Sequence, residues 1–157
     1  MAWLLVPVGV VAVILAAVGA HFVRAELRKR RDRRRRAEFQ IQRERLEAKF
    51  FEMASNSGKP RGLRWTDCSF DDEITYARQI ENGELCALVS VTISFEAIIG
   101  GGMEEVEAVS NLRSATAMFR VVEGRWQTDG RAIFNLNPTE AIAHYPENLA
   151  PIGPCGR

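Results

Sequence analysis

Histidine and cysteine are scarce in this chain of 157 residues, which has two histidines and three cysteines. His21 and His144 stand far apart, and neither belongs to a group with the spacing of a metal-binding motif. The triple glycine Gly100-Gly101-Gly102 is not followed by the Lys-Ser/Thr pair that completes a phosphate-binding loop. The sequence therefore predicts neither a metal site nor a cofactor.

The cysteines Cys68, Cys86 and Cys155 are odd in number and widely spaced. This pattern favours free thiols in a reducing compartment over a disulfide framework. Cys68 follows Asp67 and would be a candidate nucleophile only if the fold brought His144 to it. Without that partner, Cys68 is an ordinary small residue of a strand.

Charged residues are absent from Ala2 to Val23, a stretch of 22 residues. As a helix this stretch spans roughly 33 Å, comparable with a hydrocarbon core of about 30 Å. Residues 1–23 are therefore predicted to form a single transmembrane anchor. Because the basic residues follow the stretch, the positive-inside rule places the N-terminus outside the cell membrane and the remaining chain in the cytoplasm.

Two other interpretations of the apolar stretch are weaker. A cleaved signal peptide would use Val18-Gly19-Ala20 as its cleavage site, but signal peptides have their charge before the apolar core, which is about 7–15 residues long. A buried helix of a globular core would show a polar, water-facing side, and this stretch has none.

Residues 24–38 form a basic block with nine basic and three acidic side chains, so its net charge is +6 and that of residues 39–157 is −5. The block is interpreted as a topology signal and as a collar that attracts anionic lipid headgroups. RNA or a receptor for basic motifs is the third alternative, but the block has no aromatic residue for base stacking. The acidic remainder indicates no nucleic-acid binding. The residues assigned to lipid headgroups are Arg28, Lys29, Arg30, Arg31, Arg33, Arg34, Arg35 and Arg36.

Glycine and proline are absent between Ala20 and Ser57, so one helix is predicted to continue through the basic block. Apolar residues then recur on one helical face at Phe39, Leu46, Phe50 and Met53. This stripe predicts a helix that docks onto its own domain, because Arg36 and Arg43 interrupt the seam that a coiled coil would need. Asn56, Ser57, Gly58 and Pro60 end the helix.

After Pro60 the apolar residues alternate with a period of two, which predicts strands. The first two run from Leu63 to Phe70 and from Ile74 to Ile80. The pair Asn82-Gly83 predicts a type I′ turn, in which both central residues have positive φ. The third strand, Leu85 to Glu96, has one apolar and one mixed face, on which Leu88 is an apolar exception.

The fourth predicted strand runs from Val106 to Val122 and the fifth from Arg125 to Leu136, with a bulge at Asp129-Gly130. A short helix follows, because Asn137 is a favourable N-cap, Pro138 occupies the first helical position and Glu140 the third. Residues 147–157 are predicted to be a flexible tail.

The predicted fold class is α+β: an amphipathic helix packed on a curved antiparallel sheet of about five meander strands, with a short C-terminal helix. Residues 39–146 form the single cytoplasmic domain. The stretch Ala117 to Thr128, AMFRVVEGRWQT, carries a Gly-x-Trp turn. At this level the chain resembles the cone-shaped nuclear-transport-factor-like (NTF2-like) and cystatin-like domains. That resemblance implies a curled sheet around a central helix, and it assigns no functional residue.

A curled sheet would bring several aromatic and polar residues together. The candidates for lining a ligand pocket are Trp65, Asp67, Tyr76, Trp126 and His144, with Glu96, Arg113 and Arg131 as further residues near the strand ends. The alternative is that the tryptophans simply pack in the core.

Two functions remain open at this point. The first is a membrane-anchored, non-enzymatic interaction or assembly module that binds a protein partner or itself. The second is a small-ligand-binding or catalytic cone. A filled interior would favour the first, whereas a closed apolar cavity with an inward acidic residue or histidine would favour the second.

Overall fold

The computed structural model describes residues 5–57, 60–103 and 112–153, with the side chains of the first helix described from residue 14 onward. Contacts divide the chain into two units, Met1–Glu38 and Phe39–Arg157. The elements in chain order are helix α1 (Leu5–Asn56), strands β1 (Leu63–Gln79), β2 (Leu85–Ala97), β3 (Arg113–Val122), β4 (Arg125–Gln127) and β5 (Ala132–Phe134), helix α2 (Pro138–His144) and strand β6 (Leu149–Pro151). The α+β class predicted from the sequence is confirmed.

The predicted transmembrane helix is wrong on this structure: within the described ranges, no helix has a segment both long and apolar enough to cross a membrane. From Arg24 to Arg36 helix α1 continues with nine basic side chains, which are costly to bury in a hydrocarbon core. Residues 1–4 of the predicted anchor lie outside the described residues.

Within the described residues the sheet has six antiparallel strands in the order β4-β3-β2-β1-β6, with β5 also paired to β3. This corrects the prediction of about five strands in two places. The two strands predicted before Asn82 are one strand, β1, which pairs with β2 throughout despite register shifts between Trp65 and Asp67 and between Phe70 and Ile74. The strand predicted from Arg125 to Leu136 is divided into β4 and β5, and Asp129-Gly130 lies in the break between them instead of forming a bulge in one strand.

The second register shift in β1 lies against helix α1. The guanidinium of Arg43 donates to the main-chain carbonyls of Asp71 and Asp72, and it also forms a salt bridge of 2.6 Å with Glu47. Carbonyl groups displaced from the ladder must find other donors. Arg43 of helix α1 therefore supplies hydrogen-bond donors to the two carbonyl groups at the register shift, and β1 continues past it.

One face of the sheet, here called the α1 face, packs against the second half of helix α1. Phe39, Leu46, Phe50 and Ala54 are buried there against the alternating apolar residues of β2 and β3. Met53, the last residue of the predicted stripe, is 38% exposed, and Ala54 takes its place. The predicted docking of the helix onto its own domain is confirmed.

Two tight hairpins connect β1 to β2 and β3 to β4. At Glu123-Gly124, φ is 49° and 77°, the positive values at both central residues that a type I′ turn requires. At Asn82-Gly83, only Gly83 has a positive φ, 69°, and its amide donates to the carbonyl of Gln79. The hairpin predicted there is present, but its turn is longer than the predicted type I′ turn.

The opposite face of the sheet, here called the α2 face, carries the short helix α2. Its predicted capping box is present: Glu140 N donates to Asn137 Oδ1 and Asn137 N donates to Glu140 Oε2, each at 2.9 Å. The helix buries Ala141 and Ile142 with a second apolar cluster. That cluster includes Cys86, Leu88 and Leu149.

Leu88, the apolar exception on the mixed face, is fully buried in this cluster with Ile142. Packing under helix α2 therefore accounts for an apolar residue at position 88, and no contact with a partner protein is needed to explain it.

Strand β6 begins two residues after the start of the predicted flexible tail. It pairs with the end of β1, where Ala77, Arg78 and Gln79 face Pro151, Ala150 and Leu149. Residues 154–157, including Cys155, lie outside the described residues, as do Gly58 in the predicted helix end and positions 106–111 of the predicted fourth strand.

Candidate functional site

Both tryptophans proposed as pocket residues are buried in the α1 face. Trp65 is 6% exposed, and its ring centroid lies 5.3 Å from that of Phe95 and 6.5 Å from that of Phe50. Trp126 is 4% exposed and packs edge-on at 4.8 Å from Phe39. Aromatic side chains from helix α1 therefore occupy the space that a ligand would need.

Tyr76 is half-buried beside the same cluster, 6.4 Å from the ring of Phe39. The helix residue Phe39 thus contacts Tyr76, Trp126 and Phe119 together. Three of the five pocket candidates are brought into one cluster, and that cluster is packed core.

Asp67 and Cys68 lie at an open groove between helix α1 and β1. The groove has a volume of about 370 Å³ and is also lined by Glu44, Glu47 and Phe51. Burial, with a smaller contribution from the Asp67 carboxylate, raises the pKa of the Cys68 thiol to about 12. Cys68 is therefore protonated at neutral pH and is a poor nucleophile.

His144 does not meet Cys68. It is an exposed residue at the end of helix α2, and its ring lies 4.9 Å from that of Tyr145. Helix α2 packs on the α2 face, whereas Cys68 packs against the core of the α1 face. The sheet separates the two side chains, so the predicted condition for a nucleophilic cysteine is not met.

A different concavity lies on the α2 face and is here called the arginine cleft. It has a volume of about 180 Å³. Its lining consists of Gln79, Glu81, Met118, Arg120, Arg131, Ile133, Tyr145, Asn148 and Leu149. Met118, Ile133 and Leu149 are buried and form an apolar floor, while polar and charged side chains form the rim.

Two contacts hold the arginines of this cleft. Arg120 Nη2 donates to Asp129 Oδ2 at 2.6 Å, in a salt bridge that is partly exposed. The guanidinium of Arg131 lies over the ring of Tyr145, 5.5 Å from its centroid. Both side chains are therefore positioned by neighbours before any ligand arrives.

Of the nine residues in the cleft, the sequence singled out only Arg131, and only as one of several residues near strand ends. A signal was present in β3, where Met118 and Arg120 fall on the face opposite to Ala117 and Phe119. No sequence pattern predicts that β6 and the end of helix α2 lie beside that face of β3.

The basic block in the first unit includes its own ion pairs. Arg34 and Arg35 bond to Glu38 at 2.9 and 2.8 Å, and Arg30 lies 3.6 Å from Glu26. Hydrogen bonds from Arg34 and then Arg35 lower the pKa of the Glu38 carboxyl. Among the described side chains, the apolar residues from Ile14 to Val23 are exposed, including Phe22 at 69% and Val23 at 59%.

Metal-ligating residues do not gather within the described ranges: no group of three or more histidine, cysteine or acidic side chains has the geometry to hold an ion.

Comparison with known proteins gives no relative for this chain. No protein-family model matches the sequence, and no curated protein does. No solved structure matches it either. The resemblance to nuclear-transport-factor-like and cystatin-like domains therefore stays a prediction.

Proposed function

We propose that this chain is a non-enzymatic interaction or assembly module. In this proposal the basic first unit contacts anionic lipid headgroups, and the α+β domain binds a protein partner. The observation that carries the proposal is the filled α1 face, where Phe39 and Phe50 occupy the place of a ligand in a cone-shaped domain.

The size of the arginine cleft supports a protein partner over a small ligand. Pockets for small molecules measure about 300–1,000 Å³ and bury most of the ligand. At about 180 Å³ the cleft is smaller, and it opens to solvent on its rim. A cavity of this size suits a single side chain of a partner, the usual anchor of a protein interface.

The chemistry of the other candidate residues also favours binding over catalysis. Cys68, with its pKa raised to about 12, has almost no thiolate at neutral pH. Asp67 is exposed at an open groove, and His144 lies beyond the sheet from both. No proton-transfer pair or activated nucleophile arises from these three side chains.

Charge supports the lipid contact. The basic block carries a net charge of +6, and each basic residue near an anionic bilayer contributes about 1 kcal/mol. Exposed apolar side chains adjoin the block at Phe22 and Val23, and the exposed Leu27 lies within it. Apolar side chains beside basic ones are typical of segments that bind at a lipid–water interface.

A cytoplasmic location of the domain is part of the same proposal. Cys68 and Cys86 are both free, and burial raises the pKa of the Cys86 thiol, as it does for Cys68. Protonated, free thiols suit a reducing compartment.

Site-specific crosslinking tests the partner. A photo-crosslinking amino acid at Asn148, an exposed residue of the cleft, is expected to capture the same protein repeatedly in cells. The same amino acid at Glu52, exposed on helix α1 and outside the cleft, is the control. Equal adducts at both positions, or co-purification of a small molecule alone, would contradict a protein-binding cleft.

Vesicle sedimentation tests the lipid contact. The full chain is expected to pellet with vesicles of phosphatidylcholine and phosphatidylserine, and less with phosphatidylcholine alone. Replacing Arg28, Arg31 and Arg33 with Gln should reduce the difference, since the electrostatic part depends on the number of basic residues. Equal binding to both vesicles would refute a role for anionic headgroups.

A further inference from the structure

We propose that the arginine cleft recognises an acidic segment of the protein partner. One apolar side chain of that segment packs on the floor of the cleft, and a neighbouring carboxylate binds the guanidinium of Arg131. This inference rests on the proposed function and specifies the chemistry of the partner.

Strand pairing places Arg120 on the α2 face, opposite Cys86, which belongs to the buried cluster under helix α2. Ile133 is opposite Thr116 and belongs to the same cluster. Arg131 immediately precedes β5 and lines the cleft together with Arg120 and Ile133. Two guanidinium groups therefore flank one apolar floor.

Asp129 forms hydrogen bonds with both arginines of the cleft. Its Oδ2 accepts from Arg120 Nη2 at 2.6 Å, and its Oδ1 accepts from the main-chain amide of Arg131 at 3.2 Å. One carboxylate thus fixes one arginine by its side chain and the other by its backbone. Preorganised donors lose less entropy when a ligand binds.

Arg131 is the arginine that can take the ligand. Among the described residues, no carboxylate forms a salt bridge with its guanidinium, which is held only over Tyr145. An arginine fork binds a carboxylate through two parallel hydrogen bonds. The stacked position keeps the fork in place while leaving its edges available to a partner.

The other charges around the cleft limit what can bind. Glu81 on the rim repels a second carboxylate, while Arg120 is already neutralised by Asp129. The domain as a whole is acidic, at −5 over residues 39–157, so it repels partners of high negative charge. These features select a segment with one acidic residue beside an apolar one, and they disfavour polyanions.

Two end-blocked peptides provide the test, Ala-Ala-Asp-Phe-Ala-Ala and the same peptide with Asn in place of Asp. Each is titrated into the isotope-labelled full chain and followed by two-dimensional NMR. The Asp peptide is expected to shift the amide signals of Arg131, Ile133 and Leu149, with about threefold higher affinity than the Asn peptide, since it adds a charge-assisted pair at an exposed arginine. The reversed order, Phe-Asp, is titrated in the same way.

Arg131→Gln is expected to remove the preference for the Asp peptide. Arg125→Gln is the matched control, because Arg125 is an exposed arginine outside the cleft and the substitution removes the same charge. Arg131→Lys should restore only part of the preference, since a lysine cannot form the two-bonded fork.

The outcomes separate this inference from the proposed function. If both orders of the Asp peptide bind no better than the Asn peptide while crosslinking at Asn148 still captures a protein, the acidic segment is wrong and the interaction module stands. If free N-acetylphenylalanine binds with the same dependence on Arg131 and the peptides do not, the cleft is a small-molecule pocket. That result would overturn both proposals.

Discussion

The close approach of Gly130 to helix α1 is the contact that the domain should tolerate least. Gly130 lies in the break between β4 and β5 with φ of 70°. A Cβ at this position would be 2.6 Å from Ala54 N and 2.8 Å from Met53 Cβ. Neither neighbour is the end of a flexible side chain, so Gly130→Ala must push the last turn of helix α1 away.

Two terms add up in this substitution. A left-handed conformation costs a residue with a Cβ about 1–2 kcal/mol. Overpacking against a fixed backbone costs a further amount of about 1–3 kcal/mol. The free energy of unfolding should therefore fall by about 2–5 kcal/mol.

Gly83 supplies a matched control. Its φ is 69°, almost that of Gly130, but a Cβ there would meet no atom within 4 Å. Gly83→Ala should therefore lose only the conformational term, about 1–2 kcal/mol. The difference between the two variants isolates the contact between helix and sheet.

The assay is equilibrium unfolding in urea, followed by tryptophan fluorescence in a Trp3→Phe background. The signal then comes from Trp65 and Trp126, which are both buried in the α1 face. Equal losses of stability in the two glycine variants would refute the close approach and with it the docked position of the helix end.

Three further experiments test the packing of the α1 face, the packing of the α2 face and the protonation of the thiols of Cys68 and Cys86. Phe39→Ala should lower the free energy of unfolding by about 3–5 kcal/mol, whereas Ile41→Ala, at an 85% exposed position of the same helix, should change it by less than about 0.5 kcal/mol in the same urea titration. Leu88→Ala should cost about 2–5 kcal/mol, because Leu88 is fully buried under helix α2, and a loss no larger than that of Ile80→Ala, which is 54% exposed, would contradict that cover. In a Cys155→Ser background at pH 8, Cys68 and Cys86 should react with a disulfide reagent much more slowly in the folded chain than in denaturant, because burial raises the pKa of both thiols. Rapid labelling of the folded chain would show instead that the thiols are accessible. Because the pKa of Cys68 is raised to about 12, the stability that its protonated thiol contributes is complete below pH 9 and is lost as the pH rises from 9 to 12.

Local signals explain the parts of the fold that the sequence predicts well. The apolar stripe through Phe39, Leu46 and Phe50 depends only on helical spacing, and the capping box at Asn137 depends on three neighbouring residues. The alternation in β2 likewise needs no knowledge of its partners. Each of these patterns is complete within a short stretch of chain.

The errors arise where pairing between strands overrides a local signal. The sequence predicts a break between Phe70 and Ile74, yet β1 continues because β2 pairs on both sides of it. Arg43 binds the carbonyls of Asp71 and Asp72 within this irregularity. Asn82-Gly83 predicts a two-residue turn, but Gln79 N donates to Glu84 O and places four residues in the loop. The strand register, which sequence spacing does not reveal, determines both results.

The candidate site was beyond the sequence for a similar reason. Its lining comes from β1, β3, β5, the end of helix α2 and β6, so no contiguous motif contains it. Leu149 carries the clearest example, since it lies in a segment that the sequence predicts to be a loose tail, yet pairing with Gln79 makes it part of the floor. Trp65 and Trp126 are pocket candidates in the sequence but buried core residues in the structure. The sequence alone does not distinguish aromatic residues that line a pocket from those that fill a core.

The two faces of the sheet differ because the helices that cover them differ in length. The part of helix α1 in the second unit runs from Phe39 to Asn56, about 27 Å, and its large aromatic residues close the α1 face. Helix α2 has seven residues and measures about 10 Å, whereas β2 with 13 residues extends for about 40 Å. A cover so short leaves part of the α2 face open beyond its last turn. The arginine cleft lies at that end, beside Tyr145. The short length of helix α2 therefore leaves open the concavity that, among the described residues, combines an apolar floor with a preorganised pair of arginines.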